Sequence, residues 1–263
     1  MRRRILICAV AAALALPAIA FAAAKTYIYA KAGGVNATLS YSGGPGITTA
    51  DERLMITQSG QPTYDQPVPA KGCIKVCSPV GKHSVQVTDV YGDGSEEVVL
   101  TLFSGGADCC TIGDVYVHSS AMQSWVLDQH NFGEAGFLLK PIGPHRRPLF
   151  VSANPAFYCR FTFCYASALP LQILEFQAER FVDVTKQYPK LISADAKRWL
   201  SLYYKDPKNG LGAIAAWAAD DDQLGSSYQG TVRTVLQLQV ADGHLKQSFV
   251  AQLERFLAKQ HYT

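Results

Sequence analysis

Residues Val87 to Leu102 read Val-Thr-Asp-Val-Tyr-Gly-Asp-Gly-Ser-Glu-Glu-Val-Val-Leu-Thr-Leu, two β-forming runs joined by an acidic, glycine-rich turn. β-Branched residues on both flanks and an Asp-Gly turn signal commit this stretch to antiparallel pairing. Carboxylates fall at Asp89, Asp93 and Glu97, and Gly92 and Gly94 free the backbone to curl inward. That curl lets side-chain oxygens and carbonyls face one centre. A hard cation such as Ca²⁺ takes about six to eight oxygens, so Asp89, Asp93 and Glu97 need help from Tyr91 and Ser95, and the expected affinity is modest. The competing reading is a hairpin turn with solvated carboxylates. The loop is not an EF-hand, because Leu100 stands where the bidentate glutamate belongs and the flanks alternate like strands.

The core Asp89-Val-Tyr-Gly-Asp-Gly-Ser-Glu-Glu-Val-Val resembles the calcium loop of FG-GAP or VCBS-type repeats, the blades of integrin-like β-propellers. Phe103-Ser-Gly-Gly-Ala-Asp-Cys-Cys-Thr111, Leu149-Phe-Val-Ser-Ala153, Ser167-Ala-Leu-Pro-Leu171 and Arg180-Phe-Val-Asp-Val-Thr185 are similar to exported bacterial proteins that carry such repeats. The resemblance covers about residues 87–190 and implies a fold and an export route without an established activity. This chain departs from the pattern at Tyr91, where a third loop carboxylate is expected.

Met1 to Ala24 reads as a secretory signal: Arg2, Arg3 and Arg4, an apolar run from Ile5 to Leu16, a break at Pro17 and small residues suited to cleavage near residues 20–24. The alternative is an uncleaved anchor, since Ile5 to Ala24 just reaches bilayer length. Removing the three leader arginines reduces the 24 basic residues to 21, equal to the 21 acidic ones, so charge lends no support to nucleic-acid binding. The expected location is periplasmic or secreted, with no transmembrane span in the mature chain. Export gives meaning to the six cysteines after Cys8, namely Cys73, Cys77, Cys109, Cys110, Cys159 and Cys164. Spacing does not choose among their pairings; the simplest is three local links, 73–77, 109–110 and 159–164.

The chain divides into a signal (1–24), N-terminal β hairpins (25–69), two blade-like β repeats (70–185) and C-terminal helices (186–263). In the first part Ala37, Leu39 and Tyr41 mark one face and Leu54 and Ile56 another, with turns at Gly43–Gly46 and Ser59–Pro62. The run Val98–Phe103 is apolar enough for burial on both faces. An offset of 52 sets Glu97-Val-Val-Leu100 on Leu149-Phe-Val-Ser152, and an offset of 56 sets Trp125-Val126 on Phe181-Val182. The second unit's loop, 141–149, carries Pro141, Gly143, His145, Arg146, Arg147 and Leu149, which cannot hold a hard cation. From Thr185 the period becomes helical. Ser193 reads as an N-cap before Trp199 and Tyr203, further helices carry Trp217, Leu236 and Phe256, and Asp220-Asp221-Asp222 reads as a solvated acidic patch or a second cation contact. The fold class is therefore α+β: an antiparallel, propeller-blade-like N-terminal and middle part with a helical C-terminal region.

Nucleophile-elbow, zinc-protease, phosphate-loop and dinucleotide motifs are missing from the sequence. The expected function is an exported, non-catalytic binding or structural protein whose Ca²⁺-type loop at 89–97 stiffens a blade presenting Gly105–Thr111 to an envelope or extracellular ligand. Two other classes remain at this stage. An envelope hydrolase would use a carboxylate pair with one raised-pKa acid near Asp108 or Asp114, and a thiol or redox sensor would use Cys109–Cys110.

Overall fold

The computed structural model describes residues 24–43, 49–106, 109–143 and 147–262. The signal segment before residue 24, most of the Gly43–Gly46 turn, Asp108, and Pro144, His145 and Arg146 of the second loop lie outside the described residues.

Three antiparallel sheets follow one another along the chain. Strands β1 (Lys25–Ala32), β2 (Val35–Ser42), β3 (Ala50–Gln58) and β4 (Tyr64–Pro67) form the first as a simple meander. The second contains β5 (Ser78–Pro79), β6 (Val85–Thr88), β7 (Glu97–Phe103), β8 (Thr111–Ser119) and β9 (Ser124–Gly133). β6 to β9 repeat the meander, while β5 pairs with the far end of β7. The third meander is β10 (Leu138–Pro141), β11 (Pro148–Ala153), β12 (Leu171–Gln177) and β13 (Arg180–Asp183). Helices α1 (Pro189–Lys205), α2 (Leu211–Gln223), α3 (Ser226–Ala241) and α4 (Gln247–Lys259) complete an α+β fold in which no sheet closes into a barrel.

The sheets stack face against face because the middle one is apolar on both sides. On β7, Val98, Leu100 and Leu102 meet Val35, Leu39, Leu54 and Ile56 of the first sheet, whereas Val99 turns the other way toward Phe150, Leu174 and Phe176 of the third. Period-two alternation sends successive side chains to opposite faces, so an all-apolar strand needs a partner on each. Ala37 and Leu39 lie directly opposite Ile56 and Leu54, so these residues share one buried face, not the two separate faces expected from their spacing. Between the second and third sheets Phe132, Phe137, Phe150, Phe176 and Phe181 interlock, with neighbouring ring centroids 4.4 to 5.8 Å apart. Such ring pairs add about 0.5–1.5 kcal/mol each beyond the area they bury. Gly113 is required there, because a Cβ at this position would stand 2.5 Å from the Phe132 ring.

The far face of the third sheet, through Leu149, Ile173 and Val184, packs on Tyr188 at the entry to α1. The helices hold their own core around Tyr203, Ile214, Trp217, Leu253 and Phe256. Two expectations change here. α1 starts at Pro189 with Tyr188 as its N-cap, and Ser193 lies inside it; proline's fixed φ suits the first helical turn. The triplet Asp220, Asp221 and Asp222 is buried, not solvated. Asp220 accepts from the Leu171 backbone N–H at 3.1 Å, which ties α2 to the start of β12. Burial, then the neighbouring Asp195 carboxylate, pushes Asp220 up to about 9. The Asp195 carboxylate that favours the proton on Asp220 also receives Arg198 and the Trp199 indole N–H.

Burial likewise raises Glu97 and Asp114 to about 7. All three acids hold protons in the folded chain that the unfolded chain releases at lower pH. Their contribution to stability is therefore fully present below the ordinary carboxylate range and is lost as pH rises through about 7 and then about 9. Thermal unfolding followed by circular dichroism should show a midpoint that falls between about pH 5 and about pH 9, and Asp220→Asn, which keeps the donor without a titrating proton, should flatten the alkaline part of that fall.

Candidate functional site

The acidic loop between β6 and β7 is held by its own carboxylates. Asp89 accepts from the backbone N–H groups of Gly92, Asp93 and Gly94, an internal cap that closes the turn. Asp93 accepts from both the amide and the hydroxyl of Ser95, which holds its carboxyl below the usual range. The same hydroxyl lies 3.1 Å from Glu97 Oε1, so Asp93, Ser95 and Glu97 converge on one oxygen. Glu97 is 1% exposed and accepts from the Val90 and Tyr91 amides at 2.8 and 3.2 Å. Its burial outweighs those bonds and raises its pKa to about 7. Among the described residues, no group of three or more His, Cys, Asp or Glu side chains is placed to hold a metal ion.

A protein cation reaches this loop from the equivalent turn of the third sheet. Arg147 Nη1 donates to the Tyr91 carbonyl at 2.9 Å, the same oxygen the sequence offers to a metal, while Nη2 pairs with Glu175 on β12. The arginine stem crosses Gly92, where a Cβ would lie 2.9 Å from Arg147 Cδ and φ is +78°. The Tyr91 hydroxyl accepts from the Glu179 amide at 2.6 Å, and its ring stands edge-on to Phe176 at 5.4 Å. Loop 89–97 is thus tied to the third sheet by the Arg147 hydrogen bond to the Tyr91 carbonyl, the Glu179 amide bond to the Tyr91 hydroxyl and a ring contact. The sequence marked the loop carboxylates, but nothing in it singled out Arg147 from its neighbours as the partner.

The cysteines pair locally, as Cys73–Cys77, Cys109–Cys110 and Cys159–Cys164. Disulfides suit an oxidising, extracytoplasmic setting. Cys110 exchanges two hydrogen bonds with Ser104, its N–H reaching the hydroxyl and its carbonyl accepting the Ser104 amide. Asp114, the described member of the hydrolase reading, is wholly buried between the first and second sheets, paired to Gln129.

A second feature escaped the sequence. A cleft of about 600 Å³ opens where β9, β12 and the segment after β13 meet the ends of α2 and α4. His130 lines it with its ring 4.7 Å from Phe132, and burial lowers its pKa so that it is neutral at physiological pH. Asp183 accepts from the Thr185 amide, the Thr185 hydroxyl and Gln172 Nε2. Asn154 donates to the Tyr262 hydroxyl at 2.9 Å, which holds the C-terminal segment against the cleft. These residues come from segments up to 132 positions apart in the chain, His130 to Tyr262, so no local motif announced them.

No protein-family model matches the chain, and no curated protein does. A solved structure described as "Structure of a Xanthomonas Type IV Secretion System related protein" is similar at 13% identity, covering 60% of this chain and 92% of that one with a TM-score of 0.20. Likeness at that level carries no argument.

Removing one partner of a partly buried ion pair strands the other, so Arg147→Ala should lower stability by about 3 kcal/mol. Gly92→Ala, which adds strain at positive φ and displaces the arginine stem, should cost about 1–2 kcal/mol. Urea titrations of the two variants and of the double variant check this. Non-additivity in the double variant is expected, since both act on one contact.

Proposed function

We propose that the chain is an exported, non-catalytic binding protein of the periplasm or extracellular space, with the stacked sheets as scaffold and the cleft beside β9 as the place where a ligand sits. The observation that carries this reading is how the cleft's charge is used. Asp183 is committed to three hydrogen bonds within the fold, which spends the cleft's carboxylate on fixing its own wall and leaves the polar lining to hold a ligand. The raised acids that a hydrolase needs, Glu97, Asp114 and Asp220, are buried in the sheet and helix cores. Among the described residues no helix is long and apolar enough to cross a membrane.

Loop 89–97 belongs to the same reading as the tie between the second and third sheets, in keeping with its resemblance to FG-GAP and VCBS calcium loops. Ca²⁺ is its weak, secondary occupant. The convergence of Asp93, Ser95 and Glu97 favours a cation there, and the Arg147 guanidinium already supplies positive charge at the Tyr91 carbonyl.

Two experiments test these statements. Incubated with isolated envelope material, the mature chain should co-sediment without releasing soluble fragments; release of fragments would establish hydrolysis instead. In thermal unfolding, chelator should leave the wild-type midpoint nearly unchanged, whereas Arg147→Ala should gain a Ca²⁺-dependent rise of the size set by mass action, about 2.7 kcal/mol at 100 times the dissociation constant, that Asp93→Ala abolishes.

A further inference from the structure

The lining of the cleft beside β9 is unusual in its chemistry. Asn131, Asn154, Gln172, Gln187, Gln223 and Gln260, six of the thirteen residues around it, are carboxamides. Each such group carries one acceptor oxygen and two donor hydrogens, of which Asn131 and Asn154 use their oxygens on the Gly133 and Ala156 amides and Gln172 one donor on Asp183. Of the charged groups beside them, Asp183 is held by Thr185 and Gln172, Lys186 is exposed at the rim, and burial lowers the pKa of His130. Gln223 Nε2 is buried in this wall without a hydrogen-bond partner. A buried donor with no acceptor is a standing cost to the free protein, and a bound hydroxyl or carbonyl oxygen would remove it.

From this lining we infer a saccharide-binding cleft, with a neutral oligosaccharide as its ligand. The inference rests on the binding-protein reading above and names the ligand class. A sugar carries many hydroxyls, each both donor and acceptor, around a ring with apolar C–H faces. Carboxamides match the hydroxyls in dual character, and the Pro155 ring gives a C–H face something to rest on. The amides also converge from separate segments, namely β9, the turn at Asn154, β12, the residues after β13, and the ends of α2 and α4. That distribution suits groups arranged around a ring; an extended peptide would ask for a row of backbone donors and acceptors along one strand edge. An anion would ask for uncompensated positive charge.

The walls are formed in advance. The Asn154 to Tyr262 bond holds the C-terminal segment in place, and the Tyr262 amide bonds back to the Leu257 carbonyl at 3.0 Å. Little ordering is left to be done on binding, so affinity depends on hydrogen-bond complementarity.

Calorimetric titration of the mature, disulfide-bonded chain with chitotetraose and with maltohexaose tests the inference, with N-acetyl-tetraalanine amide and inorganic phosphate as comparison probes. At least one saccharide should bind, with an affinity that stays within about twofold between about 50 and about 500 mM salt, since no net charge is engaged. The pair Gln187→Ala/Gln260→Ala, exposed and half-buried respectively, should weaken binding about tenfold or more while leaving the far-ultraviolet circular dichroism and the thermal midpoint unchanged. Gln223→Leu, which removes the unpaired donor, should weaken saccharide binding without loss of fold. The inference is overturned if neither saccharide binds at about 10 mM, if the amide variants bind as the wild type does, or if the peptide or phosphate binds more tightly at the same residues. In the first and last of these cases, envelope co-sedimentation that persists leaves the binding-protein reading standing; its loss as well would remove both.

Discussion

Burial of β7 on both faces is the constraint from which the rest of the structure follows. A strand that presents Val98, Leu100 and Leu102 to one side and Val99 to the other cannot lie on a protein surface. One meander must cover the first face and another the second, and the chain supplies them in order, before and after the central sheet. The helices then cover what the third sheet leaves open. Three stacked meanders leave each outer face to be capped or wetted, and the first sheet meets solvent with Tyr27, Tyr29 and Met55 while the third is covered by α1.

The acidic loop gains its place in this scheme from where it stands, at the entry to β7. Asp89, Asp93 and Glu97 would repel one another if left in an apolar setting, yet each is satisfied differently. Asp89 is satisfied by loop amides, Asp93 by Ser95, and Glu97 by amides together with a raised pKa. Arg147 then links the loop to Glu175 across the sheet boundary. A guanidinium is suited to this because its planar fork can serve a carbonyl and a carboxylate at once. In the third meander the corresponding turn has no acidic cluster and supplies this arginine instead. Two turns at equivalent positions have thus become donor and acceptor of one contact.

The α2 aspartates show the opposite lesson about charge. Asp220, Asp221 and Asp222 look solvated in the sequence because consecutive carboxylates are costly to bury. They are buried because α2 is surrounded on nearly every side, and the cost falls when Asp220 keeps its proton beside the Asp195 carboxylate. Asp195 lies on α1, 25 positions away, and nothing local ties the two residues together.

Period and turn chemistry were enough to determine strand type, the antiparallel pairing around the Asp-Gly turn, the two-sided burial of Val98–Phe103 and the change to helices after Thr185, because each depends on residues a few positions apart. The loop carboxylates were legible for the same reason. Tertiary structure alone decided that Leu54 and Ile56 join Leu39 on one face, that α1 begins at Pro189, that Arg147 caps the Tyr91 carbonyl, and that His130, Asn154, Asp183 and Tyr262 share a cleft. Those outcomes depend on register between strands and on which sheet packs on which. Contacts made across long stretches of chain leave no local pattern in a single sequence.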